Sequence, residues 1–314
     1  MLKTSVVTSL ICCFVGLGCA DGPSSGSGER DPAQHFDDSA VVALCKAITR
    51  NDVQEIERLL DSGAQINANG KGNVTPLLWA ISRSELATIQ ALLDRGANPN
   101  HMMETNDMLL PLGIRRGQSA TQFAAEYRDN DIFEAVMTAN GDPQQVNPIT
   151  GHSLLHTVIR SITLTEKRER IEYLINAGTP LDTMDNSDAT AAISAARNRR
   201  YDICLLLLDA GADPLASGKR LHKRIVHVIC EQEANDRRLS LRLSPRTKQD
   251  LDRLLSVLQD AGESLESARA YVTKWKELSR THGAGKAIGM MKDELELRKL
   301  EQETVDVEET ECLD

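Results

Sequence analysis

The sequence predicts an all-α fold, a solenoid of about six helix-turn-helix units with a C-terminal helical cap, and three observations lead there. The phrase Leu-Leu-Asp-x-Gly-Ala occurs at residues 59–64, 92–97 and 207–212, and its first two copies lie 33 residues apart. A fixed period of this size marks a supersecondary unit that cannot bury its apolar face alone and is completed by its neighbour. Glycines recur at positions 63, 96, 141, 178, 211 and 262, with gaps of 33, 45, 37, 33 and 51, so two gaps equal the base period and three carry insertions. Finally, the 314 residues are 41% apolar but only 3% aromatic, a composition that suits Leu/Ala helical packing better than a sheet core.

The elements follow in chain order. Residues 1–18 read as an export signal, with Lys3 as its positive start and an apolar run from Val6 to Leu17 too short to span a bilayer. Its end, Val15-Gly16-Leu17-Gly18-Cys19, resembles the lipobox of bacterial lipoproteins, although Gly16 stands where that pattern prefers Leu. The resemblance implies a lipid on Cys19 and a periplasmic protein. Because no Asp follows Cys19, it also implies an outer-membrane anchor. A plain cleaved signal is the competing reading. Residues 19–37 form the lipidated Cys and a flexible tether rich in Gly, Ser and Pro.

Residues 38–262 hold the solenoid. In Val53 to Asp61, Ile56, Leu59 and Leu60 share one stripe, and Gly63 follows as a left-handed cap. Thr75-Pro76-Leu77-Leu78-Trp79-Ala80 opens a helix, with Thr75 as cap and Pro76 in the first turn. Small residues at Ala47, Ala80 and Ala195 stand sixteen before three of the glycines and let helices approach closely. These residues are those of the ankyrin repeat, and the chain resembles that family over about residues 38 to 262. The opening degrades to Ser119-Ala120-Thr121-Gln122, Ser153-Leu154-Leu155-His156 and Thr190-Ala191-Ala192-Ile193, but a hydroxyl survives at each cap. Cys45 and Cys204 fall on apolar helical faces as small core residues, and a Cys204–Cys230 bridge is a minor alternative.

Two insertions interrupt the period. Asn98 to Arg116 carries Met102, Met103, Met108, Leu109 and Leu110, which either fold back on the core or grip a partner. The stretch from Lys219 to Lys248 has nine cations against three acids, a charge of +6. Residues 263–300 form capping helices, the first carrying Leu265, Ala268, Val272 and Trp275 at helical spacing and a second running from Ile288 to Leu300. Residues 301–314, with seven acids and no base, read as a solvated tail.

The chemistry in the sequence is recognition, not turnover. A net charge of −10 argues against a nucleic-acid partner. No His-Glu-x-x-His pattern occurs, no Gly-x-Ser-x-Gly elbow presents a nucleophile, since the one such spelling, Gly22 to Gly26, lies in the tether, and no cofactor or metal is expected. His152 and His156 are four apart, as metal ligands can be, but the resemblance assigns His156 to a hydrogen bond between repeats. The stretch His282-Gly283-Ala284-Gly285-Lys286-Ala287 lacks the residues of a phosphate loop and reads as a hinge.

The ankyrin resemblance further implies partner contacts at hairpin tips and at two variable residues of each inner helix. Here those slots contain Arg50, Arg83, Arg160 and Arg197, with Tyr127 between them, and the tip adds Met102, Met103 and Arg116. Two readings compete. Arg suits the C-terminal turn of any helix, and an Arg column would also pair with the carboxylates of another protein. With the export signal, the chain resembles ankyrin immunity proteins that block secreted antibacterial effectors such as type VI lipases. An accessory protein that stabilises a periplasmic enzyme such as a catalase, or an envelope scaffold, is the alternative, and the membrane is touched only through the lipid anchor.

Overall fold

The computed structural model describes residues 31–83, 85–104, 114–161, 167–218, 222–239 and 241–292. The export signal, Cys19, most of the tether, Met108 to Leu110, Lys219 and Arg220, residues 293–300 of the expected second capping helix, and the acidic residues 301–314 lie outside the described residues.

Six helix pairs follow one another: α1 (Ser39–Thr49) with α2 (Val53–Asp61), α3 (Pro76–Ile81) with α4 (Leu86–Asp94), α5 (Ala120–Glu126) with α6 (Asn130–Thr138), α7 (Leu154–Arg160) with α8 (Lys167–Asn176), α9 (Ala191–Arg197) with α10 (Tyr201–Asp209), and α11 (Ile225–Leu239) with α12 (Pro245–Asp260). The long α13 (Leu265–His282) closes the stack, followed by a further helical stretch over 284–292. No strand occurs among the described residues; one isolated bridge joins Val146 and Ser153. The first helices of the pairs touch in succession, α1 on α3 through α9 on α11, and form an inner line that α13 completes.

The inner helices are too short to persist alone, so burial and caps must hold them. All six residues of α3 are buried. Thr75, Ser119, Ser153 and Thr190 each accept from the backbone N–H three residues on, as the sequence indicates. Between units, the side chain four residues past a terminating glycine reaches the next hairpin. Asn67 Oδ1 accepts from Asn98 N at 2.8 Å, Asn100 Oδ1 from Asp142 N at 2.8 Å, and Asp182 Oδ2 from Asp213 N at 3.1 Å. These polar ties set the spacing of the hairpins.

Two expectations change, and the minor alternative of a Cys204–Cys230 bridge falls while Cys204 packs in the core as expected. Gly141 is not a left-handed cap: Asn140 takes that conformation at φ 65, as Asn tolerates. The long gap before Gly262 is filled by helix, since α11 and α12 run to 15 and 16 residues. Cys204 and Cys230 are both free thiols, buried in the core. The apolar interior forms two clusters, one from Phe36 to Val136 and the other from Ala125 to Val272, which meet at α5 and α6.

His156 is fully buried, with Nδ1 2.8 Å from Ser153 Oγ and Nε2 2.9 Å from Ala189 O in the next unit. His227 stands in the corresponding place in the sixth unit, its Nδ1 accepting from Arg224 N at 3.2 Å. Burial holds His156 below the usual imidazole range, and burial beside Arg224 and Lys223 brings His227 down to about 4. The unfolded value is about 6.5, so the unfolded chain binds more protons below that pH and stability falls as pH falls. Unfolding free energy should therefore drop between about pH 6.5 and about pH 4, by up to about 3 kcal/mol through His227. Urea titrations across that range check this, and His227→Gln should flatten part of the slope.

Candidate partner-binding groove

The inner helices place the Arg residues at equivalent points of one edge. Arg50 caps the C-terminus of α1, Arg83 follows the C-cap Ser82 of α3, and Arg160 and Arg197 are the last residues of α7 and α9. Neighbouring helices of such a line lie about 8–10 Å apart. Arg50, Arg160 and Arg197 are exposed, and none of them forms an ion pair among the described residues. Arg83 is half-buried, its guanidinium 5.7 Å from the Trp79 ring centroid, so its charge is partly engaged by the protein itself.

Arg116, Tyr127 and Arg160 line one groove of about 520 Å³ between the third and fourth units. Tyr127 ends α5 in an extended conformation and stacks on Phe123 at 5.3 Å between ring centroids. Across from it, Arg115 donates to Glu126 Oε2 at 3.0 Å, and Gln118 Nε2 donates to Glu126 Oε1 at 2.9 Å. Glu126 thereby neutralises Arg115, whereas Arg116 and Arg160 keep exposed guanidinium groups. At the far end His152 stacks on His156, 5.8 Å apart, with Nε2 3.5 Å from Asp185 Oδ2. Burial and the Arg160 charge lower the His152 pKa despite Asp185, so at neutral pH the free positive charge of the groove belongs to its arginines. An aromatic face between two exposed forks that form no ion pair among the described residues is equipped to hold carboxylates.

The methionines divide. Met103 is 1% exposed: its N donates to Gln118 O at 2.9 Å and its O accepts from Gly117 N at 2.7 Å, which draws the side chain into the core. It is therefore a packing residue and not a partner contact. Met102 is half-buried beside it.

Arg170, which no motif in the sequence marks, holds this region together. It is 3% exposed, and Nη1 donates to Ala124 O at 2.9 Å, to Ala125 O at 3.2 Å and to Tyr127 O at 2.5 Å. Nη2 donates to Asp129 O at 2.9 Å, and the guanidinium lies 4.9 Å from the Phe133 ring centroid. One side chain from α8 thus satisfies the open carbonyls of α5 and its following turn. Ser161 Oγ adds a bond to Glu126 O at 2.8 Å.

A family model described as ankyrin repeats, in three copies, matches residues 121–217, and a single ankyrin repeat matches residues 73–103. The crystal structure of the ankyrin repeat domain of Bcl-3, titled a unique member of the IkappaB protein family, is similar to this chain with a TM-score of 0.52. The fold is an ankyrin-repeat solenoid. That likeness has 21% identity and covers 71% of this chain and 86% of the other, so it concerns the fold alone. None of the curated proteins matches the chain. An ankyrin-repeat fold is in general a non-catalytic scaffold for protein interaction. The interval between the two family matches contains Arg115 and Arg116, so one wall of the groove comes from the insertion that departs from the repeat.

Arg170→Met should lower the unfolding free energy by about 3 kcal/mol in urea titrations, because it strips buried carbonyls of their donor. Arg170→Lys should recover less than half of that loss, since an ammonium cannot fork to several carbonyls. An unchanged midpoint for Arg170→Met would contradict the clamp.

Proposed function

We propose that the protein works by occupying a protein partner, and that it receives acidic side chains of that partner between Arg116, Tyr127 and Arg160. The observation that carries this reading is the convergence of two exposed guanidinium groups and a tyrosine ring on one groove. Arg50, Arg83 and Arg197 extend the same edge and would serve a partner longer than the groove. The lipobox-like residues ending at Cys19 support a periplasmic site of action with a lipid tether to the outer membrane. A tethered, non-catalytic module with such a groove suits an immunity protein that covers a secreted antibacterial effector and so blocks its activity.

The test begins with cross-linking and pull-down from the periplasm of the native organism. With the captured partner in hand, Arg116→Ala combined with Arg160→Ala should weaken binding by roughly thirtyfold or more, about 2 kcal/mol. Unchanged affinity would retire the groove as the contact surface. Addition of the protein should also abolish the partner's activity. A partner that instead loses activity when this protein is deleted would make it an accessory factor.

A further inference from the structure

We infer that the end of the α11–α12 hairpin is a second contact surface, one that docks on an anionic lipid surface. The helix α11 has 15 residues where α7 and α9 have 7 each, so it is longer by about 12 Å at about 1.5 Å per residue. Its first six residues, Ile225 to Cys230, are buried. Gln232 Nε2 donates to Ala196 O at 2.9 Å and to Arg197 O at 3.0 Å, which places it level with the end of α9. Asp236 pairs with Arg199 in the turn beyond. Arg237, Arg238 and Leu239, the last residues of α11, extend beyond that level, whereas α12 returns to pack on α10.

The acids of α11 are all committed behind this projection: Glu231 to Lys223, Glu233 to Arg269 at 3.1 Å, and Asp236 to Arg199 at 2.5 Å. The cations ahead of it are not. Arg237, Arg238, Arg242, Arg246 and Lys248 are exposed, and none forms an ion pair among the described residues. Among them sit Leu239 and Leu241, each 57% exposed, at the turn itself. Exposed leucines flanked on both sides by exposed cations suit a flat, deformable anionic surface. Leucines entering the headgroup region and cations ringed around them on lipid phosphates match both halves of its chemistry. The charge is also of the wrong sign for a protein of net −10 unless something negative faces it. This surface lies apart from the groove and does not depend on the function proposed for it.

Flotation of the full chain with vesicles tests the inference. One set contains phosphatidylglycerol and phosphatidylcholine in equal parts, and the other phosphatidylcholine alone. The difference in binding between the two sets removes any contribution of the apolar leader. The protein should favour the anionic vesicles at least tenfold, and added salt should erase the preference. Arg237→Ala, Arg238→Ala and Arg242→Ala together should abolish it. Leu239→Ser with Leu241→Ser should reduce anionic binding at least fivefold while leaving the thermal midpoint unchanged, as all five positions are exposed. Equal binding to both vesicle types, or full retention in the Arg variant, would overturn the proposal. So would loss in the Arg variant with no effect of the Leu variant, which would assign the surface to an acidic protein segment.

Discussion

Each unit of this protein depends on burial against its neighbour. Helices of six or seven residues do not persist in water, and a single helix pair leaves half of its apolar surface open. Stacking resolves both problems. It buries α3 completely, places Ala80 and Ala195 in the core, and leaves only the last residue of α5, α7 and α9 outside it. The Arg residues at the C-terminal turn follow from this arrangement: it is where side chains escape the core and where a cation meets the negative end of a helix dipole. The structural preference for Arg at Arg50, Arg160 and Arg197 therefore leaves the same side chains exposed for the contact proposed above, and the two readings of the Arg column are not exclusive.

The stack is not uniform. Its interior divides into two apolar clusters that meet at α5 and α6, and the groove opens over that seam. Ordinary packing is interrupted there by polar work: Arg170 reaches from α8 to the end of α5, Ser161 reaches Glu126 O, and the first insertion supplies Arg115 and Arg116. A groove bordered by fixed polar contacts is already shaped before a partner arrives, which lowers the ordering cost of binding.

Much of this was legible in the chain. The 33-residue phrase, the hydroxyl caps and the Leu265 to Trp275 spacing named the units and the closing helix, because capping and apolar periodicity are local effects. What stayed hidden is non-local. Arg170 sits in the run Lys167-Arg168-Glu169-Arg170 and looks solvated, although its spacing from Leu174 places it on the buried stripe of α8. Met103 looked like a loop tip, but backbone bonds to Gln118 and Gly117 draw it inside. His227 carries no such mark, because Arg224 stands where the fourth unit has a hydroxyl and breaks the pattern that marks His156. The convergence of Arg116, Tyr127 and Arg160 required the packing of two units and an insertion, which no spacing rule encodes.

The central claim is that stability is passed between nearest neighbours through two cores joined at one seam. Native-state hydrogen exchange on a Leu44→Ala variant tests it most directly, since Leu44 is fully buried in the N-terminal core. Nearest-neighbour stacking predicts that amides of α1 to α4 lose about 3 kcal/mol of protection, while those of α9 to α13 lose less than about a third of that. An equal loss in every helix would show one indivisible cooperative core and contradict it.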